Sequence, residues 1–174
     1  ARALATLETF ASGGVEGQRG FYYHFVDMAE GRRFGDSEIS SIDTTLFLAG
    51  ALASGQYFAG TEVEALANKL FADADWQWMM NDGDTLSMGW KPEVGFLSAR
   101  WNSFNEGLLA YVLAVGSPTH PVEPSVWDNI FRPVNENYIC LPQETLFVYQ
   151  YPAAWVDFRN KEDQYANYFN NAAT

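Results

Sequence analysis

The sequence predicts a mainly helical, all-α fold in which helical hairpins are joined by long aromatic loops. Three observations predict it. Apolar residues recur at steps of three and four through residues 38–58 and again through 61–74, the spacing of a buried helix face. The connection between these two runs is very short, which favours antiparallel packing. A third run, from Ser103 through Leu108, Leu109, Val112 and Leu113 to Val115, carries almost no charge, as a helix buried on most sides does.

Taken in order, residues 2–11 read as a short helix broken by Gly13 and Gly14. Residues 20–27 (GFYYHFVD) are aromatic and β-prone, a strand or an extended loop, and residues 30–33 form a turn. In 38–58 the positions Ile39, Ile42, Leu46, Ala49 and Ala53 mark a helix that Gly60 stops. Thr61-x-x-Glu64 then has the capping-box pattern of a new helix start. Val63, Leu66, Leu70, Phe71 and Ala74 line one face of that helix. Residues 81–84 (NDGD) are a turn by composition, 86–90 a short strand and 95–101 a loop. Gly116-Ser117-Pro118 ends the helix that starts near Ser103, and Pro121 and Pro124 keep the next stretch irregular. A short helix over 125–131, a β-prone segment over 144–151 and a last helix over 160–171 complete the chain. No exact repeat or linker divides it, so residues 1–174 read as one domain. Helical hairpins joined by loops are the units of α/α toroids, and the pattern also fits other all-α architectures.

Composition bounds the function. The chain has 174 residues, 48% of them hydrophobic, long enough to bury a core without disulfides. Cys140 is the one cysteine, so no internal bridge forms. The formal net charge is −12, a field that repels nucleic-acid phosphates and anionic lipid surfaces; a neutral polysaccharide is compatible with it. No apolar run reaches membrane-spanning length. Residues 1–11 do not read as a signal peptide, because Glu8 stands where an apolar segment would lie. The chain begins without methionine, as a processed, trimmed or fragmentary chain would. Six Trp, nine Tyr and 13 Phe are the unusual feature. Aromatic faces stack on the C–H faces of sugars, although most of these residues read as core.

Several motifs in order resemble the glucoamylase-like domain family: GFYYHFVDMAEGRR (residues 20–33), EISSIDTTLFLAGAL (38–52), SMGWKPEVGFL (87–97), NEGLLAYVLAVGSPTHP (105–121) and LFVYQYPAAWVDFR (146–159). The resemblance spans nearly the whole chain. It implies an (α/α)6 toroid and the activity of an endo-β-1,2-glucanase, an inverting glycoside hydrolase that needs no metal or other cofactor. A related module in cyclic β-1,2-glucan synthases carries out transglycosylation. The resemblance also implies a periplasmic or secreted protein whose partner is an oligo- or polysaccharide, a β-glucan. The helices that fit this length are too few to close a ring of six hairpins. The expected toroid is therefore incomplete, an N-terminal part, and any catalytic partner from the other half lies beyond Thr174.

Inverting hydrolysis needs one carboxylic acid to protonate the leaving oxygen and a second carboxylate to activate water on the opposite face of the sugar. Glu106 follows Trp101, Phe104 and Asn105 at the start of the uncharged helix. Among aromatics its pKa would rise, as a general acid requires. Ser103-x-x-Glu106 is equally a capping box. The resemblance turns this Asn-Glu pair toward the cleft. Asp43 lies early in its helix, where an acid suits the helix dipole, and Ser40-x-x-Asp43 also has capping spacing. Glu38 is the other catalytic candidate and ranks above Asp36, because the family pattern carries an acid at the Glu38 position.

Trp90, Trp101 and Tyr151 sit in loop motifs beside Gly or Pro and are the expected exposed sugar platforms. Trp76 and Trp78 read as core. His24, Arg100 and Gln150 are candidates to hydrogen-bond sugar hydroxyls, with loop bracing as the alternative for each. Glu93 in the GWKPE turn is a cleft candidate or a solvated turn acid. No metal site is expected: His24 and His120 lack ligand spacing, and His120 reads as a loop brace. Neither a phosphate loop nor a nucleophile elbow appears. The functions in competition are a glucanase or its substrate-binding portion, a non-catalytic glycan binder, and a helical interaction module. Loop motifs of this kind are superfluous in the last.

Overall fold

The computed structural model describes residues 1–136, 138–141 and 145–173. Three helices form its base. Helix α1 (Arg2–Ala11) ends where Gly13 turns at φ 80°. Its Phe10 ring stacks on Phe47 at 4.0 Å and meets the edge of Tyr22 at 4.8 Å. Helix α2 (Ser41–Tyr57) buries Thr44, Thr45, Leu48, Ala49, Ala51 and Gly55 around most of its circumference, as its scarcity of charge predicts. Helix α3 (Glu62–Asp73) packs closely beside it. Gly55 permits that approach, since a Cβ there would come within 3.1 Å of the Ala67 methyl. The expected capping box at Thr61 forms only in part. The Glu64 carboxylate reaches back to accept the Gly60 N–H at 2.7 Å, while the Thr61 hydroxyl donates to Phe58 O at 2.6 Å instead of capping the helix.

The all-α expectation is corrected by a five-stranded antiparallel sheet. Its strands are β1 (Gly17–Gln18), β2 (Phe21–Tyr23), β3 (Ile39–Ser40), β4 (Gly89–Lys91) and β5 (Gly95–Phe96), in that spatial order. Two or three residues per strand are too few to carry a period-two signal. The pairing joins segments distant in the chain: Tyr23 opposes Ile39, and Ile39 opposes Trp90. The sheet is tied to α2 by the Tyr22 N–H, which donates to the Thr44 hydroxyl at 2.9 Å. Helix α4 (Trp76–Met80) follows α3, capped by Asp75, whose carboxylate accepts the Trp78 N–H at 2.9 Å.

Helix α5 (Leu108–Val115) starts later than expected, because Ser103 is engaged in a parallel bridge with Phe131. A 3₁₀ turn over Pro124–Asn129 replaces the short helix expected at 125–131, and a two-stranded hairpin of β6 (Val134–Asn135) and β7 (Tyr138–Ile139) follows. Helix α6 (Leu146–Gln150) stands where 144–151 reads as extended; Glu144 lies outside the described residues. Helix α7 (Tyr168–Ala173) covers only the end of the expected 160–171 helix. The Asp163 carboxylate organises the preceding turn, accepting the N–H groups of Tyr165 and Ala166, the indole N–H of Trp127 and the hydroxyl of Tyr168. An acid that gathers four donors competes successfully with a helix.

One continuous core runs through these elements, with Phe21, Ile39, Leu48, Leu70, Trp76, Met79, Leu86, Leu108 and Tyr111 at its centre. Trp76 is fully buried with its edge against Phe21 at 5.1 Å. Among the described residues no helix is long and apolar enough to cross a membrane. Gly89 is required by the strand pairing, since a Cβ there would lie 2.4 Å from Ile39 O and 2.9 Å from the Glu38 Cγ. Gly89→Ala is therefore expected to destabilise the fold by about 1–3 kcal/mol, the usual cost of overpacking, read as a lower urea midpoint in circular dichroism.

Candidate active site

The sheet and α2 bring three predicted residues together. His24 continues from β2, Glu38 immediately precedes β3, and Asp43 lies in the first turn of α2. Antiparallel pairing sets the first two side by side, with the His24 N–H donating to Glu38 O at 2.8 Å. The His24 Nδ1 lies 3.0 Å from Glu38 Oε1, and its Nε2 lies 3.7 Å from Asp43 Oδ2. One imidazole thus bridges two carboxylates, and all three side chains remain partly open to solvent. The capping spacing at Asp43 is also real: the Ser40 hydroxyl accepts the Asp43 N–H at 3.2 Å and donates to Asp43 Oδ2. The cap orients the Asp43 carboxylate toward His24. Asp36, by contrast, points outward and pairs with Lys91 at 3.5 Å.

Glu106 stands at the entrance to α5. Its capping-box alternative is overturned, since the helix begins at Leu108 with Gly107 as its cap residue. Asn105 orders this entrance instead, its side-chain oxygen accepting the Gly107 N–H at 2.8 Å. The Glu106 carboxyl is half-buried and makes no hydrogen bond or ion pair with any described residue.

Trp101 links this entrance to the cluster at α2. It is 8% exposed, so the platform expectation is corrected. Its indole N–H donates to the Ser41 hydroxyl at 2.9 Å, and Gly107 packs on its ring, where a Cβ would lie 2.8 Å from Cε3. A single indole therefore spans the starts of α2 and α5. Tyr111 braces it: its hydroxyl donates to Trp101 O at 2.7 Å and accepts the Leu86 N–H at 3.0 Å. Burial pushes the Tyr111 phenol up to about 12.

The remaining candidates are placed elsewhere. Trp90 lies in β4, half-buried against Trp78 at 5.8 Å, rather than on an exposed loop. Trp78 itself is half-buried between Trp90 and Phe96, and Trp76 is core, as expected. The Arg100 guanidinium is occupied by the carbonyls of Met80 and Thr85 and the Thr85 hydroxyl, a loop brace. Glu93 forms a two-pronged pair with Arg33, which lowers its carboxyl pKa. Gln150 donates to Ala172 O at 3.4 Å on α7, away from the α2 cluster in the contacts it makes. Tyr151 is half-buried between Phe147 at 4.7 Å and Trp155 at 6.5 Å. His120 braces its loop through Ser117 and Thr119. Sequence reasoning passed over Ser41, Tyr111 and Arg33; their roles come from partners remote in the chain, and no local pattern marks them.

Residues 98–174 match the family model described as "Putative glucoamylase". Nearly the whole chain, 98% of it, superposes on a "putative glucoamylase" from Bacteroides uniformis with a TM-score of 0.82 and 22% identity. The chain shares the fold of that protein. The same fold appears in an endo-β-1,2-glucanase from Chitinophaga pinensis crystallised with sophorotriose and glucose, with a TM-score of 0.77 and 23% identity over 97% of this chain. It appears again in a β-1,2-glucanase from Parabacteroides distasonis, with a TM-score of 0.75 and 19% identity over 97% of this chain. The chain spans 47%, 47% and 30% of those three proteins, less than half of each. No curated protein matches it by sequence. The family model covers the Glu106 motif, while the motifs that hold His24, Glu38 and Asp43 lie within the shared fold.

The bracing of Trp101 has a measurable consequence. Tyr111→Phe leaves the buried Leu86 N–H without its acceptor, a loss of about 1–3 kcal/mol at neutral pH. In the wild type the Tyr111 pKa is raised from 10.0 to about 12 in the folded state. Its contribution is complete below pH 10 and is lost as pH climbs toward 12. Thermal melts across that range should show a shallower alkaline decline in Tyr111→Phe. Tyr22, pushed up to about 12 by burial, sustains the slope that remains.

Proposed function

We propose that this chain forms one wall of the substrate cleft of a β-glucan-cleaving glycoside hydrolase, with endo-β-1,2-glucanase as the specific activity. The supporting observation is the convergence of Glu38, Asp43 and His24 at the start of α2, joined through Trp101 to the start of α5, where Glu106 is free of partners among the described residues. Glu106 acts as the general acid that protonates the leaving glycosidic oxygen. Asp43 and Glu38 supply the carboxylate that activates water for inversion. His24 holds those two acids in register and offers its ring N–H to a sugar hydroxyl. The likeness to the β-1,2-glucanases of Chitinophaga pinensis and Parabacteroides distasonis supports the linkage. A toroid closed by further helical hairpins, and a periplasmic or secreted location, follow from the same resemblance.

Reducing-sugar release from linear β-1,2-, β-1,3- and β-1,4-glucans tests the proposal on the longest available form of the protein. Release is expected from the β-1,2-glucan alone. Glu106→Gln and Asp43→Asn should each lower it by about a hundredfold or more, the scale of removing a general acid or base. The isolated 174-residue chain is expected to release little. Hydrolysis by that chain well above its Glu106→Gln variant would overturn the expectation that the opposite wall is needed. Binding without cleavage by the longest form would favour a glycan-binding role.

A further inference from the structure

We propose that Phe25 and Phe34 form a sugar-stacking platform at the rim of the candidate active site, receiving one glucosyl ring of the glucan. The inference rests on the glucan reading of that site. Residues 25–34 form a tight hairpin. The Phe34 N–H donates to Phe25 O at 2.9 Å, Val26 and Arg33 form an antiparallel bridge, and the Asp27 N–H donates to Arg32 O at 2.9 Å. The Asp27 carboxylate closes the tip by accepting the N–H groups of Ala29, Glu30 and Arg32. Side chains alternate across a paired ladder, so Phe25 and Phe34, as cross-strand neighbours, lie on the face opposite Val26 and Arg33.

Both rings are held outward on a braced support. Phe25 is 57% exposed and Phe34 65%. Arg33 anchors the hairpin through Ser37 O at 2.6 Å, through Glu93, and over the Tyr23 ring at 5.2 Å. The Ser37 hydroxyl donates to Phe25 O at 3.0 Å. Two large apolar rings exposed on one ordered hairpin mark a binding surface. Their neighbour names the occupant. The Phe25 ring stacks on the His24 imidazole at 4.1 Å and 15°, and that imidazole contacts both Glu38 and Asp43. The imidazole covers one face of the Phe25 ring, so a ligand stacks on the other face, at the rim of the cluster that holds Glu38 and Asp43. A glucosyl ring suits such a place, with C–H groups on its faces and hydroxyls around its rim. An apolar protein surface would instead desolvate the partly exposed polar groups beside it.

Titration calorimetry of the full chain with linear β-1,2-gluco-oligosaccharides tests the platform. Phe25→Ala and Phe34→Ala should each raise Kd by about threefold to tenfold, the range of one aromatic contact, with melting temperatures close to wild type. Phe25→Trp should retain affinity, and its indole emission should change on saturation beyond any change in wild type. If wild type binds and the alanine variants bind equally well, the platform falls and the glucan reading stands. If wild type binds none of these sugars, both fall.

Discussion

The hydroxyl of Ser41 is the point on which the rest depends. It is fully buried, donates to the carbonyls of Ser87 and Met88, and accepts the indole N–H of Trp101. One small polar group thereby joins the first turn of α2, the approach to β4 and the loop that leads into α5. A buried hydroxyl that both donates and accepts is stabilising, whereas loss of a partner leaves a desolvated polar atom. Register follows from it. With Ser41 anchored, Ser40 pairs with Gly89, Ile39 with Trp90, and the cap that orients Asp43 stands at the helix entrance.

The same anchoring explains why the acids gather on one side. Short strands have little stability alone, and here they are held by α2 and by the core aromatics Phe21 and Trp76. The sheet returns to compact use the ends of segments that are far apart in sequence. His24 leaves β2 where Glu38 enters β3, so imidazole and carboxylates meet without any local motif. The imidazole stands between the two carboxylates, 3.0 Å from Glu38 and 3.7 Å from Asp43.

At 19–23% identity the solved relatives share the path of this chain far more than its side chains. What persists is the arrangement of helices and short strands that carries the loops. Burial divides the aromatics accordingly. Trp76 and Trp101 are structural, Trp78 and Trp90 half-cover the sheet, and Phe25 and Phe34 remain outside.

The sequence by itself determined α1, the α2–α3 hairpin, the cap at Ser40 and the acids worth considering, because capping and helical periodicity are local and act over three or four residues. Its long ordered motifs carry the family resemblance. Tertiary structure decided the five-stranded sheet, whose strands are too short to show alternation. It turned Trp101 inward and started α5 beyond Glu106, which removed the capping box. It also ended the expected final helix at the Asp163 turn. Each of these outcomes draws on partners remote in the chain, such as Ser41 for Trp101 and Trp127 for Asp163. Exposure and pairing of that kind are set by which surfaces meet, and periodicity along one segment carries no record of it.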